Sequence, residues 1–165
     1  MPNLSSDDVA LLRSLPVLVA VAAASADRGD GQGSTAEVLA GIRVIAEGGD
    51  MAQDNGLIVA AFAAYKAGGG GEAELMALAQ DPPDSLRDMA LEGCRQAAAR
   101  FGGGSVDWAG LTRWLRDIAA AVAGASAAGG IPGISSLLGI GGDRVTQVES
   151  EFLADLAVAL DVVGG

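Results

Sequence analysis

Trp108, Leu111, Leu115, Ile118 and Val122 recur at i, i+3, i+7, i+10 and i+14, the spacing that lines one face of an α-helix. Val38, Ile42, Ile45 and Ala46 repeat the pattern earlier in the chain. Extended to the glycine and proline breaks, this spacing predicts about seven helices. The first covers about 6–26, with Ser5 or Ser6 as cap and Asp7 and Asp8 in a first turn where carboxylates suit the helix dipole. Pro16 is expected to kink or split it. The second covers about 35–47 and stops at Gly48-Gly49; the third covers about 51–67 and ends in Gly68 to Gly71. A short fourth helix, 72–80, is closed by Asp81-Pro82-Pro83. Asp84 or Ser85 caps a fifth that runs to Phe101, Ser105 opens a sixth that ends near Ala128, and the last covers about 146–162.

The two ends of the chain echo each other. Leu11, Arg13 and Leu15 stand 100 positions before Leu111, Arg113 and Leu115, and each trio opens an Ala/Val-rich stretch. A glycine-rich segment follows in both halves, then Ser34-x-x-Glu37 and Thr146-x-x-Glu149, which both read as capping boxes. The expected architecture is therefore an all-α, single-domain bundle over residues 1–165, with a pseudo-duplicated helix-loop-helix unit near 5–48 and 105–162.

Composition sharpens this picture. Half of the residues are apolar but only 4% are aromatic, so the core must be built from Ala, Leu, Val and Ile, whose small side chains let helices approach closely. The formal charge of −11 disfavours nucleic acid and anionic membrane surfaces, which require clustered Lys and Arg. The single cysteine, Cys94, has no partner for an intramolecular disulfide and reads as a small apolar filler on a helix, in keeping with a reducing cytoplasm. Asp7 and Asp8 stand where a secretory signal would carry Lys or Arg. Leu15 to Ala26 is too short an apolar run to cross a bilayer, and the uncharged run from Ile118 to Gly142 is broken at Gly129, Gly130, Pro132, Gly133, Gly139, Gly141 and Gly142, so no transmembrane segment is expected. Within that run Ile134, Leu137, Leu138 and Ile140 are expected to tuck back onto the bundle; the alternative is a partner-docking or membrane-touching hairpin over 131–140.

The chain contains no histidine, which removes Ser/His/Asp triads, Cys/His pairs, His-based zinc sites and Glu-x-x-His di-iron sites. Gly139-Ile140-Gly141-Gly142-Asp143 lacks the Lys-Ser/Thr of a phosphate loop. Acid/base work by carboxylates alone is left, with Asp27 and Asp30 or Glu149 and Glu151 as pairs, and an enzyme is not the expected reading.

The acids that stand out lie between the first two helices. Asp27-x-x-Asp30-Gly31 followed by Glu37 converges oxygen ligands as a hard cation such as calcium requires, although Arg28, Gly29 and Gly33 occupy positions where a full calcium loop places ligands. The simpler reading makes Asp30-Gly31 a turn and has Glu37 reach back to the backbone N–H of Ser34. At Ala26-Asp27, Asp30-Gly31 and Glu37, and again at Gly141-Gly142-Asp143 through Glu149, the chain resembles the TerB-like tellurite-resistance family. That resemblance implies a compact all-helical domain with a duplicated helical unit, serving as a cytoplasmic stress-response module without established catalysis. It also implies a divalent cation held by Asp27, Asp30 and Glu37, with Asp143 and Glu149 as a second set, and docking onto a protein partner, membrane-associated or otherwise.

Two functional classes follow. One is a non-enzymatic TerB-like binding or scaffold module; the other is a structural interaction or assembly protein that docks through the apolar 131–140 segment while its acids only solubilise it.

Overall fold

The computed structural model describes residues 3–26, 35–69, 72–78, 80–127 and 147–161, which form seven α-helices with no strand among them. In chain order these are α1 (Ser6–Ser25), α2 (Thr35–Met51), α3 (Gly56–Ala67), α4 (Glu72–Leu78), α5 (Pro83–Phe101), α6 (Val106–Ala127) and α7 (Gln147–Asp161). The protein is an all-α bundle, and its axis is α1, which packs against α5, α6, α3, α2 and α4 and touches α7.

The reason lies in the second half of α1. Every residue from Leu15 to Ser25 is buried, so this segment has no polar face at all, and a helix apolar on all sides is stable only when other helices enclose it. The one hydroxyl in the buried stretch, that of Ser25, is satisfied by the carbonyl of Val21 at 2.7 Å. By length and composition α1 also qualifies as a membrane-crossing helix, but two thirds of its apolar window is buried inside the bundle. Pro16 lies within the unbroken helix and does not split it. A proline inside a helix costs about 3 kcal/mol, whereas each Leu or Val buried around it contributes about 1.5–3 kcal/mol, so enclosure prevails.

At the exposed start of α1 the sequence reading holds in detail. Ser5 is the N-cap: its hydroxyl and backbone N–H donate to the Asp8 carboxylate at 2.7 and 3.0 Å, and the Asp8 N–H donates back to the Ser5 oxygen at 3.2 Å. Ser105 opens α6 in the same sense, accepting from the Trp108 N–H at 3.1 Å. The apolar stripe Trp108, Leu111, Leu115, Ile118 and Val122 is buried throughout, as its spacing predicts. The α5 cap differs from expectation. Pro82 is the N-cap and Pro83 starts the helix, because a proline's fixed φ suits the first helical position, and neither Asp84 nor Ser85 is the cap.

The largest departure is at Gly48-Gly49, where α2 does not stop but continues to Met51, while α3 begins only at Gly56 behind the N-cap Asn55. Here the glycines serve close packing. A Cβ on Gly48 would overlap Nε1 of the buried Trp114 of α6, and one on Gly49 would overlap the Phe62 ring of α3. Gly41, two turns earlier, continues the notch, since its Cβ would stand 3.0 Å from the Ala20 Cβ of α1 and 3.2 Å from Val122 of α6. The glycines thus let α2 lie across α6 and against α1 and α3 at small separation. Phe62 is held from the other side as well: it stacks with Tyr65 at 6.2 Å and lies under the ammonium of Lys66, the chain's only lysine, at 4.5 Å.

Asn55 joins two of these elements. Its Oδ1 caps the Ile58 N–H at 3.0 Å, and its Nδ2 donates to the Asp107 carbonyl at 2.8 Å, tying the start of α3 to the start of α6. The two halves of the echo differ in what their second helices contact. α2 lies mainly across α6, whereas α7 lies mainly on α5, with a smaller contact on α6 and only an edge on α1.

A methyl group at either notch glycine must therefore displace a packed ring, which outweighs the helix-propensity gain of about 1 kcal/mol from Gly to Ala. Gly48→Ala and Gly49→Ala are each expected to lower the urea unfolding free energy by about 1–3 kcal/mol. Gly103→Ala, where a Cβ meets nothing within 4 Å, is expected to stay within about 0.5 kcal/mol of the parent.

Candidate functional site

The carboxylates singled out in the sequence divide sharply. Glu37 lies in the first turn of α2 and is half-buried; Glu149 lies in the first turn of α7 and is 2% exposed. Asp27, Asp30 and Asp143 lie outside the described residues, as do Ile134, Leu137, Leu138 and Ile140 and the capping residues Ser34 and Thr146. Among the described residues, no three His, Cys, Asp or Glu side chains stand close enough to hold a metal ion. Glu37 and Glu149 are thus the two described members of the candidate set, each in the N-terminal turn where a carboxylate suits the helix dipole.

The carboxylate pair Glu149 and Glu151 does not converge. Two residues apart on one helix, they point to different sides: Glu149 is buried in the bundle, and Glu151 is exposed and accepts from Gln147 Nε2 at 3.1 Å. That spacing gives no shared proton and no common substrate position.

Cys94 is fully buried in α5, and removal from water pushes its thiol up to about 12. A thiol held there is protonated at neutral pH and is no nucleophile. The filler role read from the sequence is the one the residue has.

Electrostatic organisation lies elsewhere, in arginines that join helices. Arg13 of α1 pairs with Glu74 of α4 at 3.0 Å, Arg100 of α5 with Asp8 of α1 at 3.0 Å, and Arg116 of α6 with Asp161 of α7 at 2.9 Å. Arg87 of α5 pairs with Asp155 of α7 and has Glu151 and Asp84 nearby at longer range. Sequence reasoning missed all four, because their partners are 45 to 92 positions apart and leave no local spacing to detect. Only the pairs within single helices, Arg43–Glu47 and Glu92–Arg95, have a sequence signature. Buried polar atoms add little to a site: Trp114 Nε1 and the Thr112 hydroxyl lack a hydrogen-bond partner among the described residues, yet the Gly48 notch closes directly over the indole.

Compared with known proteins, the chain matches no family model, and neither a curated protein nor a solved structure matches it.

The best-defined carboxylate is Asp8. Hydrogen bonds from the Ser5 hydroxyl and backbone, then from Arg100, hold its carboxyl below the usual aspartate range. Because the folded-state value is depressed, the contribution is present above the unfolded-state value and is lost as pH falls through the folded-state one. Ser5→Ala removes the strongest of these bonds. An NMR titration of that variant is expected to place the Asp8 carboxyl closer to its ordinary value, and its acid unfolding is expected to depend less steeply on pH.

Proposed function

We propose that the protein is a non-enzymatic binding or scaffold module of the TerB-like kind, acting in the cytoplasmic stress response. In this reading it takes a divalent cation such as calcium through carboxylates that precede and open α2 and α7, and it docks onto a protein partner, membrane-associated or otherwise. The observation that carries the reading is the placement of Glu37 and Glu149. Each occupies the first turn of the helix that follows one of the acid-bearing segments, the position in which the TerB-like resemblance uses a glutamate.

Two further facts support it. A chain without histidine, whose only cysteine is buried and protonated, lacks Ser-His and Cys-His nucleophile pairs, which favours binding over chemistry. Glu149 is also buried at the N-terminal end of α7, in the first helical turn where a carboxylate suits the helix dipole.

The test is thermal unfolding of the full chain in EDTA and with excess Ca²⁺, Mg²⁺ or Mn²⁺, because a ligand that binds only the native state must raise the midpoint. At a free cation concentration about 100 times its Kd the gain is about 2.7 kcal/mol. The expected result is a cation-specific rise that Asp30→Asn and Glu37→Gln abolish, and that Glu149→Gln abolishes if the second set takes part. A midpoint unmoved by every cation overturns the cation reading and turns attention to the apolar 131–140 segment as a protein-docking element.

A further inference from the structure

Among the described helices α7 is placed differently from the rest. The axis α1 is enclosed by α2, α3, α4, α5 and α6, whereas α7 sits on the far side of α5 and α6 and meets α1 only at an edge. Its apolar attachment is one stripe, Phe152, Leu156, Ala159 and Leu160. On either flank of that stripe stands a pair with an arginine of the bundle, Asp155 with Arg87 and Asp161 with Arg116. Both pairs are substantially exposed, so each is weak and screened by salt.

Helical phase shows what lies underneath. On α5 the missing Cβ of Gly93 points at Leu15 and Leu18, so the stripe through Leu86, Ala90, Gly93 and Ala97 faces α1. Arg87 reaches α7, and residues 91, 94 and 98 follow it at i+4, i+7 and i+11, so Leu91, Cys94 and Ala98 continue the face toward α7.

We propose that α7 is a releasable strap: it opens as a unit from α5 and α6 while the other described helices stay packed about α1, and the opening uncovers the α5 face that carries Cys94. Removing α7 takes from α1 only an edge contact, because the main neighbours of α1 are the other five helices. Release of any other long helix opens the enclosure of α1. Local opening free energies follow such differences in shared burial, and of the long helices α7 is the one with the least contact with the rest of the bundle. The two arginine pairs make the opening sensitive to ionic strength. The proposal is independent of any bound cation.

Cys94 is the built-in reporter, since it is the only cysteine and reacts as a thiolate only when brought to water. The experiment measures its modification by an aromatic disulfide reagent under native conditions, at low and high NaCl, in the parent and in Asp155→Asn and Asp161→Asn. Global unfolding in urea and amide exchange of α7 and α1 are followed in parallel. The expected result is modification with a much shallower urea dependence than global unfolding, accelerated by salt and about 2- to 5-fold by each substitution. Amides of α7 are expected to exchange ahead of those in the buried half of α1. If thiol modification and exchange in both helices share the urea dependence of global unfolding, or if salt and both substitutions leave the modification rate unchanged, the strap is overturned. Asp161→Asn, at the exposed end of α7, keeps the test decisive should Asp155→Asn fail to fold.

Discussion

The enclosure of one helix governs this bundle. From Leu15 to Ser25 the first helix has no residue that belongs in water, so its folding and the docking of its neighbours are a single event. With so few aromatic side chains, the core cannot fill space with large rings and must bring backbones close instead. The notch of Gly41, Gly48 and Gly49 accomplishes this on one side, where α2 meets Ala20, Val122, Trp114 and Phe62. Gly93 does so on the other, where a Cβ would stand 3.3 Å from Leu15 and 3.9 Å from Leu18. Two of the large side chains, Trp114 and Phe62, are seated where a glycine faces them.

Charge is arranged around that core in a complementary way. The protein has about twice as many acids as bases, and most acids are solvated. Four of the seven described arginines go to helix junctions: α1 to α4, α1 to α5, α5 to α7 and α6 to α7. Singly such pairs contribute little in water. Their value is in register, since each fixes which turn of one helix stands opposite which turn of the next. Where a pair supplements a large apolar contact, as between α1 and α5, it is secondary; at α7 it is a larger share of what holds the helix down.

These two features bear on function together. The core absorbs the only cysteine and both tryptophans, and the surface is left largely to charged and polar side chains. Glu149 connects the two. It is a candidate ligand by sequence and a buried residue by structure, and it sits at the start of a helix that lies on α5 and α6 and only edges α1. Any partner that engages Glu149 acts on the position of α7, and any change in α7 alters the surroundings of Glu149.

Much of the fold is legible in the residues themselves. Seven helices, the cap at Ser5, the opening of α6 at Ser105, the buried stripe from Trp108 to Val122 and the buried filler Cys94 all follow from local spacing and local hydrogen bonding, which are properties of short segments. Of the candidate acids the sequence marks, Glu37 and Glu149 stand in first helical turns, and Asp27, Asp30 and Asp143 lie outside the described residues. Local signals mislead where a residue has two uses. Gly48-Gly49 reads as a helix stop because glycine weakens an isolated helix, yet Trp114 and Phe62 convert that weakness into a packing seat. Pro16 reads as a break, yet the enclosure of α1 keeps the helix continuous. The sequence by itself determined the helical class, the segment lengths to within a few residues and the chemistry that is absent, because these depend on composition and near neighbours. Tertiary structure alone decided which glycines are notches, which acid is buried, which arginine meets which carboxylate and which helix lies outermost, because each depends on residues brought together from distant parts of the chain.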